Sequence, residues 1–322
     1  MTDPYRHEVS RREALLRLSS AAAAAAAVGA GALVFHDRRR TTATAARVPD
    51  WRVPSSEGSP RGVAARGPDA AANVRRAVAA VGGMERFVRR GESVVIKPNV
   101  GWDRLPEQAA NTDPIVVAEL VRLARDAGAA RVVVTDISCN DPRRCFARSG
   151  IAAAVTAAGG EVIEGHRLTM VTADIAGLAA GIEAATEVLR ADRVINVPVV
   201  KHHSLSKVTL GMKNWFGVLG AGRNRLHQDI NRALAELAAT FRPTLTVMDA
   251  TRVLFANGPV GGSLGDVKRV DAVAVGVDPV ALDAWGAAIL GHAPQHLAFL
   301  ADAEQRGLGR ADAALVKELG TA

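Results

Sequence analysis

Short β-branched runs that end on polar residues alternate along this chain with stretches of helical period. Residues 94–96 run into Lys97-Pro98-Asn99, 131–135 into Asp136, 193–197 into Pro198, and 244–248 into Asp249. Residues 161–163 and 270–277 supply two more strands. Between them, 114–127, 144–158, 229–240 and 279–290 carry apolar residues at helical spacing, and 294–306 and 310–319 read as shorter helices. Asp113 suits the N-cap of the helix at 114–127, Pro114 its first turn, and Gly128 its stop. Strands joined through helices pair in parallel by right-handed crossovers. Strands that are apolar on both faces are covered on both. The fold class that follows is α/β: a doubly wound, mainly parallel sheet with helices on both faces. In such a sheet ligands bind beyond the carboxyl ends of the strands. Lys97, Asn99, Asp136 and Asp249 are the polar residues this pattern delivers there.

Composition sharpens that placement. Of 40 basic residues only six are lysine, and three of these, Lys201, Lys207 and Lys213, fall within residues 201–213. The stretch reads Lys201-His202-His203, Ser206-Lys207-Val208-Thr209, then Gly211-Met212-Lys213-Asn214-Trp215-Phe216-Gly217. Three ammonium groups so close in sequence repel one another unless they are spread apart or share an anion. A histidine among them can move protons near neutral pH or bind a metal. Adjacent histidines on a strand face opposite ways, so one of the pair, His203, is assigned to the site. The glycines from Gly217 to Gly222 would let backbone N–H groups approach a phosphate, or simply make a tight turn. They match neither the dinucleotide fingerprint nor a Walker loop. His227 and Asp229 follow. His203, His227 and Asp249 together offer a nitrogen and oxygen donor set for a metal ion, whereas Asp229 reads as a helix cap.

Cys139 and Cys145 flank a short turn. They could close a small disulfide, remain free thiols, or serve a metal or redox role. Two cysteines exclude a self-contained four-cysteine iron–sulfur site. The segment 257–262 reads as a lid or a turn, Asp278 as a helix cap, Asp283 as structural, and His292 and His296 as surface histidines.

The N-terminus reads as an address. Arg11-Arg12 precedes a charge-free run at 18–35 that includes seven consecutive alanines, and small residues follow at 43–45. This is the layout of an export signal, of the twin-arginine type. Ala14 and Leu16 depart from the usual pattern. An uncleaved anchor is the alternative, since the run is near the shortest that spans a bilayer. Absence of a nearby cysteine excludes a lipoprotein. Removing residues 1–46 leaves a net charge of +4 out of +7. The remaining arginines alternate with acids, so no nucleic-acid partner is expected. The reading is therefore a signal or anchor at 1–46, a linker at 47–72 rich in Ala, Gly, Pro, Ser and Arg, and an α/β domain at 73–322.

The motifs in this order resemble the DUF362 family, whose activity is undefined, over residues 90–290. The resemblance rests on Ile96-Lys97-Pro98-Asn99, Thr112-Asp113-Pro114, Asn196-Val197-Pro198 with Lys201 and His203, and Val208-Thr209 with Lys213-Asn214 and Gly217. Asp249, Gly258-Pro259 with Gly262, and Asp278-Pro279 with Asp283 complete it. It implies that Lys97, Asn99, Asn196, Lys201, His203, Lys213 and Asn214 share one site, and it assigns them no chemical role. Some members carry a ferredoxin-like segment that this chain lacks, so no iron–sulfur cluster is implied.

The expected protein is exported to the periplasm or another extracytoplasmic space, with the export machinery as a partner and the membrane touched only by its N-terminal segment. It binds an anionic small molecule or cofactor. Lys97, Lys201, Lys207 and Lys213 hold the anion, and Asn99, Asn196, Asn214 and Gly217 shape the site. His203 is the general acid or base, with Lys201 and Asp136 beside it. Metal-assisted or redox chemistry, and non-catalytic capture of a ligand for a partner, are the alternatives.

Overall fold

β-Branched residues at alternate positions bury both faces of a ten-stranded sheet. The computed structural model describes residues 11–12, 45–54, 60–175, 177–178 and 180–320. The signal or anchor read at 1–46 lies outside them except for Arg11, Arg12, Ala45 and Ala46. Among the described residues no helix is long and apolar enough to cross a membrane.

The strands are β1 (Ala46–Arg47), β2 (Gly62–Arg66), β3 (Ser93–Pro98), β4 (Arg131–Asp136), β5 (Glu161–Glu164), β6 (Met170–Asp174) and β7 (Glu183–Ala185). They continue as β8 (Arg193–Val197), β9 (Val199–His203), β10 (Lys207–Thr209), β11 (Leu245–Leu254), β12 (Val267–Gly276) and β13 (Val316–Glu318). The helices are α1 (Ala70–Ala80), α2 (Pro114–Asp126), α3 (Pro142–Arg148), α4 (Ile151–Ala157), α5 (Thr186–Leu189), α6 (Gly211–Asn214), α7 (Ile230–Thr240), α8 (Pro279–Ile289) and α9 (Ala298–Gln305).

The main sheet runs β13-β2-β12-β11-β8-β3-β4-β5, with β9 beside β11 and β10 beside β9. Pairs from β11 through β5 are parallel, as are β9 with β11 and β13 with β2. β12 is antiparallel to both its neighbours. Val94 and Ile96 face a layer built by α1, α2 and α4, while Val95 faces the opposite layer with α7 and Phe241. The sheet is thus mainly parallel and covered by helices on both sides. Each fully buried valine contributes roughly 1.5–3 kcal/mol, which is why strands of four to six residues suffice.

Local signals set the element ends. The Asp113 carboxylate accepts from Ile115 N at 2.9 Å and Pro114 opens α2. Gly128 follows with φ +93°, a conformation that favours glycine. The helix expected at 144–158 is broken into α3 and α4 by Gly150 at φ +74°.

Two expectations are corrected. The stretch 47–72 is not a linker throughout: β2 lies inside the main sheet, and Trp51 is buried, stacked 6.4 Å from Phe241, with its Nε1 donating to Ala191 O at 2.9 Å. Residues 310–319 hold no α-helix but end in β13, which pairs with β2. Residues 199–209 form the β9–β10 hairpin.

Chain order reverses around β3. From β3 the chain steps outward through α2 to β4 and on to β5, then returns as β8 on the other flank of β3. Such a switch point opens a crevice beyond the strand ends. Lys97 lies near the end of β3, Asp136 ends β4, and Lys201 and His203 lie on β9, just past the end of β8.

Candidate functional site

The crevice is a cavity of about 240 Å³, at or below the small end of ordinary ligand sites. Lys97, Asn99, Asp136, Lys201, His203, Lys213, Asn214, Gly217 and His227 all line it, so the structure brings these sequence-predicted residues together. It also draws in Trp102, Cys139, Phe216 and Arg223.

Asn214 is the hub. Its Nδ2 donates to Lys97 O at 3.1 Å and to Asn196 Oδ1 at 2.8 Å. Its Oδ1 accepts from Lys97 Nζ at 2.7 Å and Asn99 Nδ2 at 3.2 Å. Asn196 does not line the cavity. It donates to Gly211 O at 3.0 Å and so ties the end of β8 to the turn that carries Lys213. Behind that turn, the fully buried Asp283 accepts from Gly211 N at 2.7 Å and Met212 N at 3.0 Å. Burial pushes the Asp283 carboxyl up to about 7 despite those two backbone donors.

Lys97 is 1% exposed and pairs with Asp136 Oδ1 at 2.8 Å. Burial draws its ammonium below the ordinary lysine range, and the Asp136 charge opposes that. The other Asp136 oxygen accepts from Val100 N at 2.6 Å. Gly217 is required by this pair: a Cβ there would sit 1.8 Å from Asp136 Oδ1 and 2.6 Å from Lys97 Nζ. The glycine thus serves a close approach of side chains rather than a phosphate-cradling loop.

Lys201, also 1% exposed, donates to Asn99 Oδ1 at 3.0 Å and to Ala110 O. Burial lowers it to about 7; Cys139 and Asp136 oppose the fall, and Lys213 and Lys97 add to it. Lys213 is 9% exposed and lies 4.6 Å from the Phe216 ring centroid, a cation–π contact. Among the described residues it has no hydrogen-bond acceptor and no carboxylate partner. Burial lowers it to about 8. Arg223 donates to Ile137 O at 3.3 Å and likewise forms no ion pair among the described residues.

His203 does not fit the acid or base role expected of it. Its Nδ1 accepts from Leu205 N at 3.1 Å and Ser206 N at 3.3 Å. Nδ1 is therefore the acceptor, and Nε2 carries the proton. Burial, with the Lys213 and Lys201 charges, lowers the ring to about 3. At neutral pH His203 is an uncharged N–H donor, and Lys201 and Lys213, at about 7 and about 8, are the cleft lysines brought nearest neutrality.

Two further expectations fail on position. Lys207 stands exposed at the start of β10 with φ +64°, outside the cavity, because the hairpin turn directs it to solvent. Asp249 is buried beneath the next strand connection, where it accepts from Asp113 N at 2.7 Å and from Thr251 Oγ1 at 2.7 Å. The set of His203, His227 and Asp249 is therefore not assembled. Among the described residues no three His, Cys, Asp or Glu side chains are grouped at ligating distance. Cys139 and Cys145 are free thiols: Cys139 borders the cavity, and Cys145 is buried and pushed up to about 11 by that burial.

Fold and site define an α/β domain with a lysine-lined cleft at the carboxyl ends of its strands. Residues 94–288 match the model of the Domain of unknown function (DUF362) family, and the chain belongs to it. It is 30% identical over 247 residues to the thylakoid-associated protein sll1697 of Synechocystis sp. (strain ATCC 27184 / PCC 6803 / Kazusa), covering 74% of this chain and 75% of that protein. The lactate racemase apoprotein from Thermoanaerobacterium thermosaccharolyticum is similar over 75% of this chain and 61% of that one, at 12% identity and a TM-score of 0.40. A Thermotoga maritima protein of known crystal structure is similar over 58% of this chain and 52% of that one, at 10% identity and a TM-score of 0.34. The chain thus spans between half and two thirds of these two solved chains.

Proposed function

We propose that the cleft binds a small organic or inorganic anion and that the protein works outside the cytoplasm. One observation carries the binding reading. Lys213 is nine-tenths buried, faces the cavity and has no acceptor or counter-charge among the described residues. A buried cation is costly unless it is paired, and a ligand carboxylate or phosphate supplies the missing partner. Arg223 adds a second uncommitted cation and a forked donor suited to such groups. Lys97 is already neutralised by Asp136, so it orients Asn214 and the strand ends. His203 and Asn99 add neutral polar groups that can direct the rest of the ligand. The extracytoplasmic reading rests on the paired arginines and apolar run at 11–35 and accords with a relative described as thylakoid-associated.

The test is calorimetric titration of the purified protein with acetate, phosphate and sulfate, alongside Lys213→Met and Arg223→Met. The proposal expects single-site binding of at least one anion, weakened at least about tenfold in each variant, since a hydrogen bond to a charged group contributes roughly 1.5–3 kcal/mol. Wild-type protein that binds none of them, or variants that bind equally well, would overturn it.

A further inference from the structure

The three lysines of the cleft are not equivalent. Lys97 has a carboxylate and an amide oxygen as partners, at 2.8 and 2.7 Å. Among the described residues Lys213 has no hydrogen-bond acceptor or carboxylate partner, and it lies against the Phe216 ring. Lys201 has two neutral acceptors, Asn99 Oδ1 and Ala110 O, no carboxylate partner among the described residues, and 1% exposure. A neutral amine has two N–H groups and one lone pair. Two acceptors satisfy the donors and leave the lone pair free, whereas an ammonium would hold a third proton with no acceptor bonded to it among the described residues. The burial that brings Lys201 to about 7 acts in the same direction.

We infer that Lys201 is a nucleophilic amine that forms an imine with a small 2-oxo carboxylate, whose carboxylate is held by Lys213 and Arg223. This rests on the anion-binding reading and names the substrate class for the same cleft. The amine nitrogen attacks the keto carbon and the carbon–oxygen π bond opens to a carbinolamine. The carbon–oxygen single bond then breaks, and both amine protons leave with that oxygen as water. Protonation of the imine nitrogen restores one N–H for Asn99 Oδ1 or Ala110 O. No oxidant or reductant takes part. A cavity of about 240 Å³ suits a molecule the size of pyruvate or glyoxylate. A lysine desolvated beside other cations is a recognised way of activating this nucleophile.

The test uses the full chain with pyruvate and with glyoxylate, each with and without sodium borohydride, followed by peptide mass mapping. In parallel, calorimetry measures the binding of acetate and of both oxo acids. The expected result is a stoichiometric, borohydride-dependent gain on Lys201 equal to the mass of the oxo acid less one oxygen. Excess of a competing anion suppresses it, and Lys201→Arg abolishes it. Binding of the anions without trapping on Lys201, or trapping on Lys213 or surface lysines instead, overturns the imine and leaves the anion site standing. Absence of both binding and trapping overturns both. Because trapping is read on the wild-type chain, the outcome does not depend on the folding of any variant.

Discussion

Removing one partner of the Lys97–Asp136 pair isolates the interaction on which the cleft is built. The two groups meet at 2.8 Å with side-chain exposures of 1% and 3%. Lys97→Met strands the Asp136 carboxylate, which keeps one backbone donor, Val100 N, on its other oxygen. Stranding a buried charge this way costs about 3–5 kcal/mol. Asp136→Asn costs less, because burial already draws Lys97 below its ordinary range and the amine can shed its proton. The double variant leaves no unpaired charge and should recover much of the loss, giving a coupling of roughly 2–3 kcal/mol. Urea unfolding of the wild type and the three variants measures each corner of the cycle. Additive losses, or a Lys97→Met penalty below about 1 kcal/mol, would show that the pair is not the buried element described here.

Three further outcomes follow from the same geometry. Gly217→Ala should destabilise by at least about 2 kcal/mol in thermal or urea unfolding, because its Cβ would overlap Asp136 Oδ1 at 1.8 Å; a neutral effect would contradict the packing. Stability of the ligand-free protein should rise between pH 7 and 10.5, where the unfolded Lys201 keeps a proton that the native one, at about 7, has released. Lys201→Met should remove that contribution, and acetate affinity should fall as pH climbs through the Lys201 and Lys213 values of about 7 and 8; a flat pH profile in both measurements would count against the assigned charges. Proton and nitrogen NMR of the histidines should find His203 neutral and protonated on Nε2 down to about pH 4, given its value of about 3; titration near its ordinary 6.5 would restore it as an acid or base.

The α/β class and the gathering of polar residues beyond the strand ends were legible because they depend on strand period and on polar residues at strand ends. What the chain hid depended on contacts between distant segments. β2, Gly62–Arg66, has one β-branched residue beside a glycine, two alanines and an arginine, and becomes a strand because β12 and β13 flank it. Asp136 and Asp249 look alike in sequence, each an acid after an apolar run. Only the sheet order places one beside Lys97 and buries the other against Asp113. The scarcity of lysine singled out Lys201, Lys207 and Lys213 together, and the structure brings Lys201 and Lys213 to one cavity with Lys97 and leaves Lys207 exposed outside it, since the reversal of the β9–β10 hairpin is not visible in the sequence. Arg223 was obscured by the abundance of arginine around it. His203 was assigned its solution pKa, and burial together with the neighbouring lysine charges lowers it.

The central claim is that Lys213 and Arg223 hold an anion. Crystals of the wild-type protein soaked in sodium selenate test it most directly through the anomalous signal of selenium. The account predicts a peak in the cleft with selenate oxygens about 2.7–2.9 Å from Lys213 Nζ and the Arg223 guanidinium. Selenium peaks confined to surface arginines, with none beside Lys213, would contradict it.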